Sequence, residues 1–456
     1  MWGVPWYLYC FLCSVPTKIK IPKFLRSHPF ISKQFSKISV IGLGYVGLPL
    51  SLQFARSGVS VLGFDLDQQK VDSINAGKTY LKHFPSESIA EQVDANRLEA
   101  TTDLSRLSEV EAILICVPTP LDDHREPDLS FVLDTARTIA SHLAKGVLVT
   151  LESTTYPGTT EDELRIVLEE GSGMKAGTDF HLAYSPERED PGRDDASVKT
   201  IPKVVGGYTE KCAELAEALY GQALDKIHRV SSCRAAEATK LLENIFRSVN
   251  IALVNELKVV YEAMGIDVHE VIDAAATKPF GFMAFRPGPG LGGHCIPIDP
   301  FYLTWKAREF GKHTRFIELA GEINTAMPDY VISKVADALN DEGKAIKGSR
   351  ILVLGLAYKA NVDDCRESPS FVLMEKLEAK GATVDYNDSF LPVVPPTREH
   401  AHFTGKQSVE IDDTYDLILV STDHTEYKTF DFSSYACPLV DSRNCITKKP
   451  SKYYLA

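Results

Sequence analysis

Residues 36–67 read SKISVIGLGYVGLPLSLQFARSGVSVLGFDLD. Ile38, Val40 and Ile41 make a short β-branched run that predicts a strand. Leu48 to Ala55 predicts a helix packing back on it, and a second strand ends at Asp65. Between the first strand and the helix stands Gly42-Leu-Gly44-Tyr45-Val46-Gly47. In such a βαβ unit the first glycine permits the tight turn, the second lets a pyrophosphate approach the backbone, and the third lets helix and strand pack closely. The helix N-terminus then faces the phosphates. Asp65 follows Gly44 by 21 residues, where an acid accepts from both ribose hydroxyls. The unit predicts dinucleotide binding, and because Asp65 would repel a 2′-phosphate, NAD is expected rather than NADP.

Outward from this unit the alternation continues. Ala112–Val117, Val147–Leu151 and Val204–Val205 predict buried strands, with helical stretches at Leu129–Leu143 and Lys211–Leu219 between them. Alternation of this kind means a parallel sheet covered on both faces. From about Ser232 to Met264 the period becomes helical: Ala238, Leu241, Leu242, Ile245, Val249, Ala252 and Leu253 follow helical spacing until Gly265. A helix of that length runs more than about 40 Å, enough to act as a spine between domains and between subunits. Helical patterning continues to about Asp341, interrupted by the glycine- and proline-rich segment Pro279–Pro300. A second sheet begins at Arg350 with ILVLGLAY, followed by a helix over Pro369–Gly381, the strand ATVDYND, and further strands at Asp416–Ser421 and Leu439–Asp441. The expected fold is α/β: two Rossmann-like, doubly wound parallel-sheet domains joined by a helical central domain with a long spine helix. The expected boundaries are an extension over 1–36, then domains over 37–230, 231–341 and 342–456.

Length agrees with about three domains at 456 residues. A net charge of −13 argues against nucleic acid as a partner, since a phosphate backbone demands a basic footprint. Nine cysteines without regular spacing make no disulfide framework, which suits a reducing, cytoplasmic compartment. Residues 1–16 carry no charge and are followed by Lys18, Lys20, Lys23, Arg26, Lys33 and Lys37 with no acid, so this tail is +6 and the remainder −19. The apolar run is too short to span a bilayer, and its charges follow it where a secretory leader places them first. It therefore reads as a surface extension rather than a membrane span. Cys10-x-x-Cys13 has no second pair or histidine partner, and no metal is expected.

Two further constellations point to chemistry. In Gly288-Pro-Gly-Leu-Gly292-Gly-His294-Cys295-Ile-Pro-Ile-Asp299 a thiol lies on glycine-rich backbone that a substrate can approach, which makes Cys295 a candidate nucleophile. His294 is the adjacent base to consider, although neighbours in extended chain point opposite ways. Lys240 and Asn244 stand four apart on the spine helix and share one face among apolar residues, an expensive placement unless they serve a site.

GLGYVGLPL (42–50), CVPTPL (116–121), ESTTYPGTT (152–160), YSPERE (184–189), EATKLLEN (237–244) and GPGLGGHCIPIDPFYLTWKAREFG (288–311) occur together and in order. On these motifs the chain resembles the UDP-glucose/GDP-mannose dehydrogenase family from about residue 37 to 447. Its segment 280–309 looks most like the family's UDP-N-acetylglucosamine 6-dehydrogenases. His294 and Ile298 depart from the UDP-glucose enzymes, which typically have a GGSC-type loop and a nearby lysine. The resemblance implies a two-step oxidation of a sugar C6 alcohol to the acid with two NAD. In it Cys295 captures the aldehyde, Asp299 and Lys240 manage protons and the oxyanion, Asn244 donates, Thr154 orients water, and Glu187 is the base for thioester hydrolysis. It further implies cofactor contacts at Tyr45, Val46, Lys70, Pro118, Thr119, Ser153 and Thr154 beside the glycines and Asp65. Substrate contacts are implied at Glu187, Arg188, Lys240, Asn244, Arg286, Gly288, Gly292, Lys359 and Arg443, the last two holding UDP phosphates in a C-terminal UDP-binding domain. A homodimer or larger homo-oligomer is expected, with an arginine lent by the partner.

Three rival readings compete with this one. Tyr302-x-x-x-Lys306 matches the pair used by short-chain dehydrogenases but follows the glycine turn by some 260 residues and reads better as packing. An ordinary two-electron dehydrogenase leaves Cys295 and the second sheet unexplained. A non-catalytic nucleotide-sugar sensor would bind both ligands and yield no NADH.

Overall fold

The computed structural model describes residues 33–81, 85–122, 126–188, 198–293, 295–397 and 399–456. The expectations for the tail, for Cys10 and Cys13 and for His294 fall outside them.

Residues 34–456 form one compact unit around two sheets. The first sheet uses β1 (Lys37–Ile41), β2 (Ser60–Phe64), β3 (Leu98–Thr101), β4 (Ala112–Ile115), β5 (Leu148–Leu151), β6 (His181–Tyr184), β7 (Lys203–Gly207) and β8 (Ile227–Val230). Their order is β3-β2-β1-β4-β5-β6-β7-β8. The second uses β9 (Arg350–Leu354), β10 (Thr383–Asn387), β11 (Leu417–Val420), β12 (Leu439–Asp441) and β13 (Tyr453–Leu455), ordered β10-β9-β11-β12-β13 and wholly parallel. The fold is thus the two-sheet α/β arrangement expected, with one correction: β6 and β7 pair antiparallel, through Ala183 with Gly207 and Tyr184 with Gly206. An antiparallel neighbour needs no helical crossover between its strands.

Strand sequence explains why both faces are covered. In β4, Ala112 and Leu114 join one apolar cluster while Ile113 and Ile115 join the other. Ile351 and Val353 likewise separate from Leu352 and Leu354 in β9. Alternate side chains leave a strand on opposite faces, so an unbroken apolar strand needs helices above and below.

Between the sheets, the long helix Cys233–Ala263 starts on the Ser232 hydroxyl, which accepts from the Ala235 N–H, and ends before Gly265 at φ +71°. A second long helix, Arg315–Asp341, packs along it. The glycine- and proline-rich segment behaves differently from the sequence expectation. Its last residues already belong to a helix, Cys295–Glu309, which keeps Pro297 in its first turn, where the missing N–H has no helical partner to lose. Cys295 therefore begins a helix, and Asp299 lies one turn on along the same face.

Candidate active site

The strand order reverses at β1 and β4, the switch point above whose carboxyl ends an open α/β sheet places its ligand crevice. Gly42 turns there at φ +92°, and a Cβ would lie 2.6 Å from the Cys116 carbonyl oxygen. At Gly47 a Cβ would come within 1.8 Å of the Gly42 oxygen, whereas at Gly44 it would meet open space, the approach a pyrophosphate requires. Asp65 is held by the Leu43 N–H at 3.0 Å and by Lys70 Nζ at 3.3 Å. This cradle fits NAD, with Asp65 ready for a ribose diol. Ser153 donates to the Val117 carbonyl at 2.6 Å and Thr119 to the Thr154 carbonyl at 2.8 Å, so the loops after β4 and β5 are tied together beside the exposed Pro118. Val46 precedes the first helix, and Tyr45 carries the Arg366 guanidinium over its ring at 4.7 Å.

The Cys295–Glu309 helix brings the thiol to this crevice. Tyr302 is fully buried and donates to the Thr119 carbonyl at 2.5 Å, pinning the helix to the cofactor loop. Lys306 stands over the Tyr156 ring at 4.8 Å and pairs with Glu309, so Tyr302 and Lys306 serve as packing and not as a catalytic pair. Asp299 is 1% exposed, and Asn244 Nδ2 donates to its Oδ2 at 2.6 Å. Burial raises the Asp299 carboxyl to about 7, opposed by Lys240, the Asn244 bond and Arg247. Burial and the Asp299 charge push the Cys295 thiol up to about 11 against Lys240, Arg247 and Arg366. A helix start favours a thiolate by only about 0.3–1 kcal/mol, too little to reverse the effect of burial, so the thiol needs a base. Asp299 is the neighbour whose own range suits that task.

Glu187 follows β6. Lys240 Nζ donates to its backbone carbonyl at 2.5 Å, and Lys203 Nζ lies 3.8 Å from its carboxylate. Lys203 bonds the buried Glu152 at 2.5 Å, and Glu152 also accepts from Tyr220. Arg188 pairs with Glu243 at 2.6 Å, while only its backbone N–H reaches the Glu187 side chain.

The glycine loop leads from the thiol to the second sheet. Gly293 N–H donates to the Arg366 carbonyl at 3.0 Å, and a Cβ on Gly292 would lie 2.6 Å from that of Tyr358, next to the half-buried Lys359. At Gly288 a Cβ would come 2.3 Å from the Arg443 guanidinium, so a side chain there would push that group aside. Arg443 follows β12 and donates from Nε to the Ser421 carbonyl at 2.8 Å. Arg286 stands apart: it pairs with Asp273 and is half exposed.

Sequence reading missed several groups here. Thr155, beside Thr154, is fully buried, and its hydroxyl has no partner among the described residues. Arg247 follows Lys240 and Asn244 at seven and three residues, on their face of the spine helix; the i, i+4, i+7 spacing was the available signal. Lys203 and Glu152 lie 51 residues apart in sequence, and no local pattern joins them.

A dinucleotide cradle at a switch point, a thiol helix docked against it and a second sheet with half-buried cations define a two-sheet NAD-dependent dehydrogenase. Models of the UDP-glucose/GDP-mannose dehydrogenase family match residues 36–224 (NAD binding domain), 234–326 (central domain) and 352–448 (UDP binding domain). The UDP-N-acetyl-D-glucosamine 6-dehydrogenase of Pseudomonas aeruginosa is 37% identical over 393 residues, covering 86% of this chain and 91% of that one. The UDP-N-acetyl-D-mannosamine dehydrogenase of Pyrococcus horikoshii is 35% identical over 91% of this chain and 97% of its own. A solved structure of UDP-D-ManNAc dehydrogenase from Pyrococcus horikoshii superposes with a TM-score of 0.83 at 33% identity, over 92% of this chain and 98% of that one. The chain belongs to the UDP-glucose/GDP-mannose dehydrogenase family and is an NAD-dependent UDP-sugar dehydrogenase.

Proposed function

We propose that the chain oxidises UDP-N-acetylglucosamine at C6 to the uronic acid by a four-electron route through Cys295, supplying precursors of surface polysaccharide. The observation that carries this reading is the cluster of Cys295, Asp299, Asn244 and Lys240 beside the cofactor crevice. The relative from Pseudomonas aeruginosa supports the choice of sugar, while the mannosamine enzymes keep the C2 configuration in competition.

Bound NAD accepts one hydride per oxidation. The chain does the rest. Asp299 takes the proton from the thiol, Cys295 adds to the C6 aldehyde, and Lys240 with Asn244 stabilises the oxyanion that forms. Covalent capture holds the half-oxidised sugar through cofactor exchange. After the second oxidation leaves a thioester, Glu187 activates water and Thr154 orients it. Thr155 supports the same region, since its hydroxyl has a bond to give. Gly288, Gly292, Lys359, Arg443 and Arg188 line the substrate path, and Arg286 joins a site only if a second copy approaches its surface.

A second copy has a place to bind. Leu242, Phe246, Leu253 and Val260 are exposed on the face of the spine helix opposite Lys240, an apolar stripe that supports a homo-oligomer.

Purified protein with a panel of UDP-hexoses and either NAD or NADP tests the reading. UDP-N-acetylglucosamine with NAD should give the highest kcat/KM and two NADH per sugar consumed. One NADH per sugar would remove the four-electron route, equal use of NADP would contradict the role of Asp65, and no NADH with any sugar would leave only a binding protein.

A further inference from the structure

Three buried groups beside the site have no part in the route above. Lys203, Glu152 and Tyr220 are sealed from solvent, and Lys203 Nζ bonds Glu152 at 2.5 Å while standing over the Tyr220 ring at 5.4 Å. The Tyr220 hydroxyl donates to Glu152. Burial disfavours the Lys203 ammonium, but Glu152 and then Glu187 more than offset it, so the lysine stays charged. A buried ion pair is often no more stabilising than apolar packing, so stability alone does not account for this one.

The antiparallel strand supplies the missing reason. β7 pairs with β6 through Ala183 with Gly207 and Tyr184 with Gly206. Three residues further along, the same register sets Lys203 opposite Glu187, and Arg188 Nη1 donates across it to the Pro202 carbonyl at 2.5 Å. A parallel neighbour would bring its last residue to the carboxyl end of β6, whereas the reversed one brings its first. The Glu187 carboxylate is thereby held at both oxygens: Oε1 accepts from the Arg188 N–H at 2.7 Å, and Oε2 faces Lys203 Nζ at 3.8 Å. Glu152 has the tighter hold on the ammonium, so Lys203 aims Glu187 without a direct hydrogen bond to the oxygen that must take a proton. Glu152 also precedes Ser153 and Thr154, so the network ties the loop of the water-orienting hydroxyl to the loop of the base.

We propose that Lys203 is a positioning residue for thioester hydrolysis: shared between Glu152 and Glu187, it holds the Glu187 carboxylate in place to activate water. The proposal rests on the role given to Glu187 above and extends it to the groups behind that carboxylate. Lys203 keeps its own proton throughout. Glu187 takes a proton from water as the water oxygen bonds to the acyl carbon, and the C–S bond breaks with its electron pair on sulfur. One proton then returns to the sulfur, and one leaves as the new acid ionises. One ammonium between two carboxylates leaves a single negative charge on the group, which the proton taken by Glu187 cancels.

Rapid-quench turnover of the full chain with UDP-N-acetylglucosamine and NAD tests this, with NADH, acid and the Cys295 peptide followed together. Lys203→Met should slow acid release from the Cys295 adduct by at least about tenfold, while kcat/KM for the UDP-sugar stays within about twofold of the parent, the split expected when only a step after covalent capture is lost. The uronyl adduct should build up, and the first hydride transfer should keep its rate. Lys203→Arg should restore most of the lost rate. Lys203→Met added to Glu187→Gln should cost nothing further, since the lysine acts through that carboxylate. Glu152→Gln keeps the lysine but frees it to close on Glu187, so it should accumulate the adduct as well, and it decides the matter where Lys203→Met does not fold. Acid release at the parental rate in folded Lys203→Met or in Glu152→Gln would overturn the proposal. So would a loss shared equally by the first hydride transfer, or additive losses in the double variant. A parent chain that forms no acid from any UDP-hexose would instead remove the four-electron reading, and the proposal with it.

Discussion

Replacing Cys295 with alanine will abolish formation of the uronic acid, lowering kcat/KM for acid production by at least about a thousandfold. The size follows from the chemistry assigned to one sulfur. Without it the C6 aldehyde has no covalent anchor, so the second oxidation must wait on a hydrated aldehyde that the site was not built to hold. Binding should survive, because the side chain is small and the cofactor cradle rests on Gly42, Gly47 and Asp65. The expected phenotype is normal affinity for NAD and UDP, at most one NADH per sugar, and no acid by mass spectrometry. Acid at the parental rate would place the nucleophile elsewhere.

Asp299→Asn should have the next largest effect, lowering kcat by about a hundredfold or more, in the range of a lost general base. The amide keeps the shape and a bond to Asn244 but cannot take the thiol proton. With the Asp299 carboxyl raised to about 7, the parental rate should climb with pH through an acidic limb near that value, and the variant should lose the limb. Buried Glu237 is also raised to about 7, but it caps Gly158 and Thr160 and should keep titrating in the variant. Stability moves in the opposite sense. The folded chain retains a proton on Asp299 that the unfolded chain has released between about pH 4 and 7, so this group's contribution is present at low pH, falls as pH rises through that window and is flat above it. A pH–rate limb unchanged in Asp299→Asn would remove the carboxyl from the proton path.

Legibility in the sequence depended on whether a signal was local. The βαβ unit at 36–67 could be read because strand, turn, helix and acid fall within one window, and the spine helix because its apolar period persists for some thirty residues. Strands β3, β6 and β8 escaped notice: each has four residues, and Leu98–Thr101 and Ile227–Val230 carry exposed polar positions within them. The start of a helix at Cys295 was hidden by proline and glycine, which usually mark loops but are tolerated in a first turn.

The site was legible in the same uneven way. Cys295, Asp299, Lys240 and Asn244 could be named from two short motifs, and the structure puts them together. Arg286, named from the glycine loop, instead faces Asp273 on the surface. Thr155 was passed over for its neighbour, because only the structure shows which of two adjacent threonines is sealed in without a partner.

In the proposed route the oxidised sugar passes through a covalent bond to Cys295. Glu187→Gln should slow thioester hydrolysis, so this variant, mixed with UDP-N-acetylglucosamine and NAD and quenched in acid, should carry the uronyl group on the peptide containing Cys295. The adduct should appear in step with the second NADH. A variant that releases two NADH and stalls with an unmodified Cys295 would contradict the account.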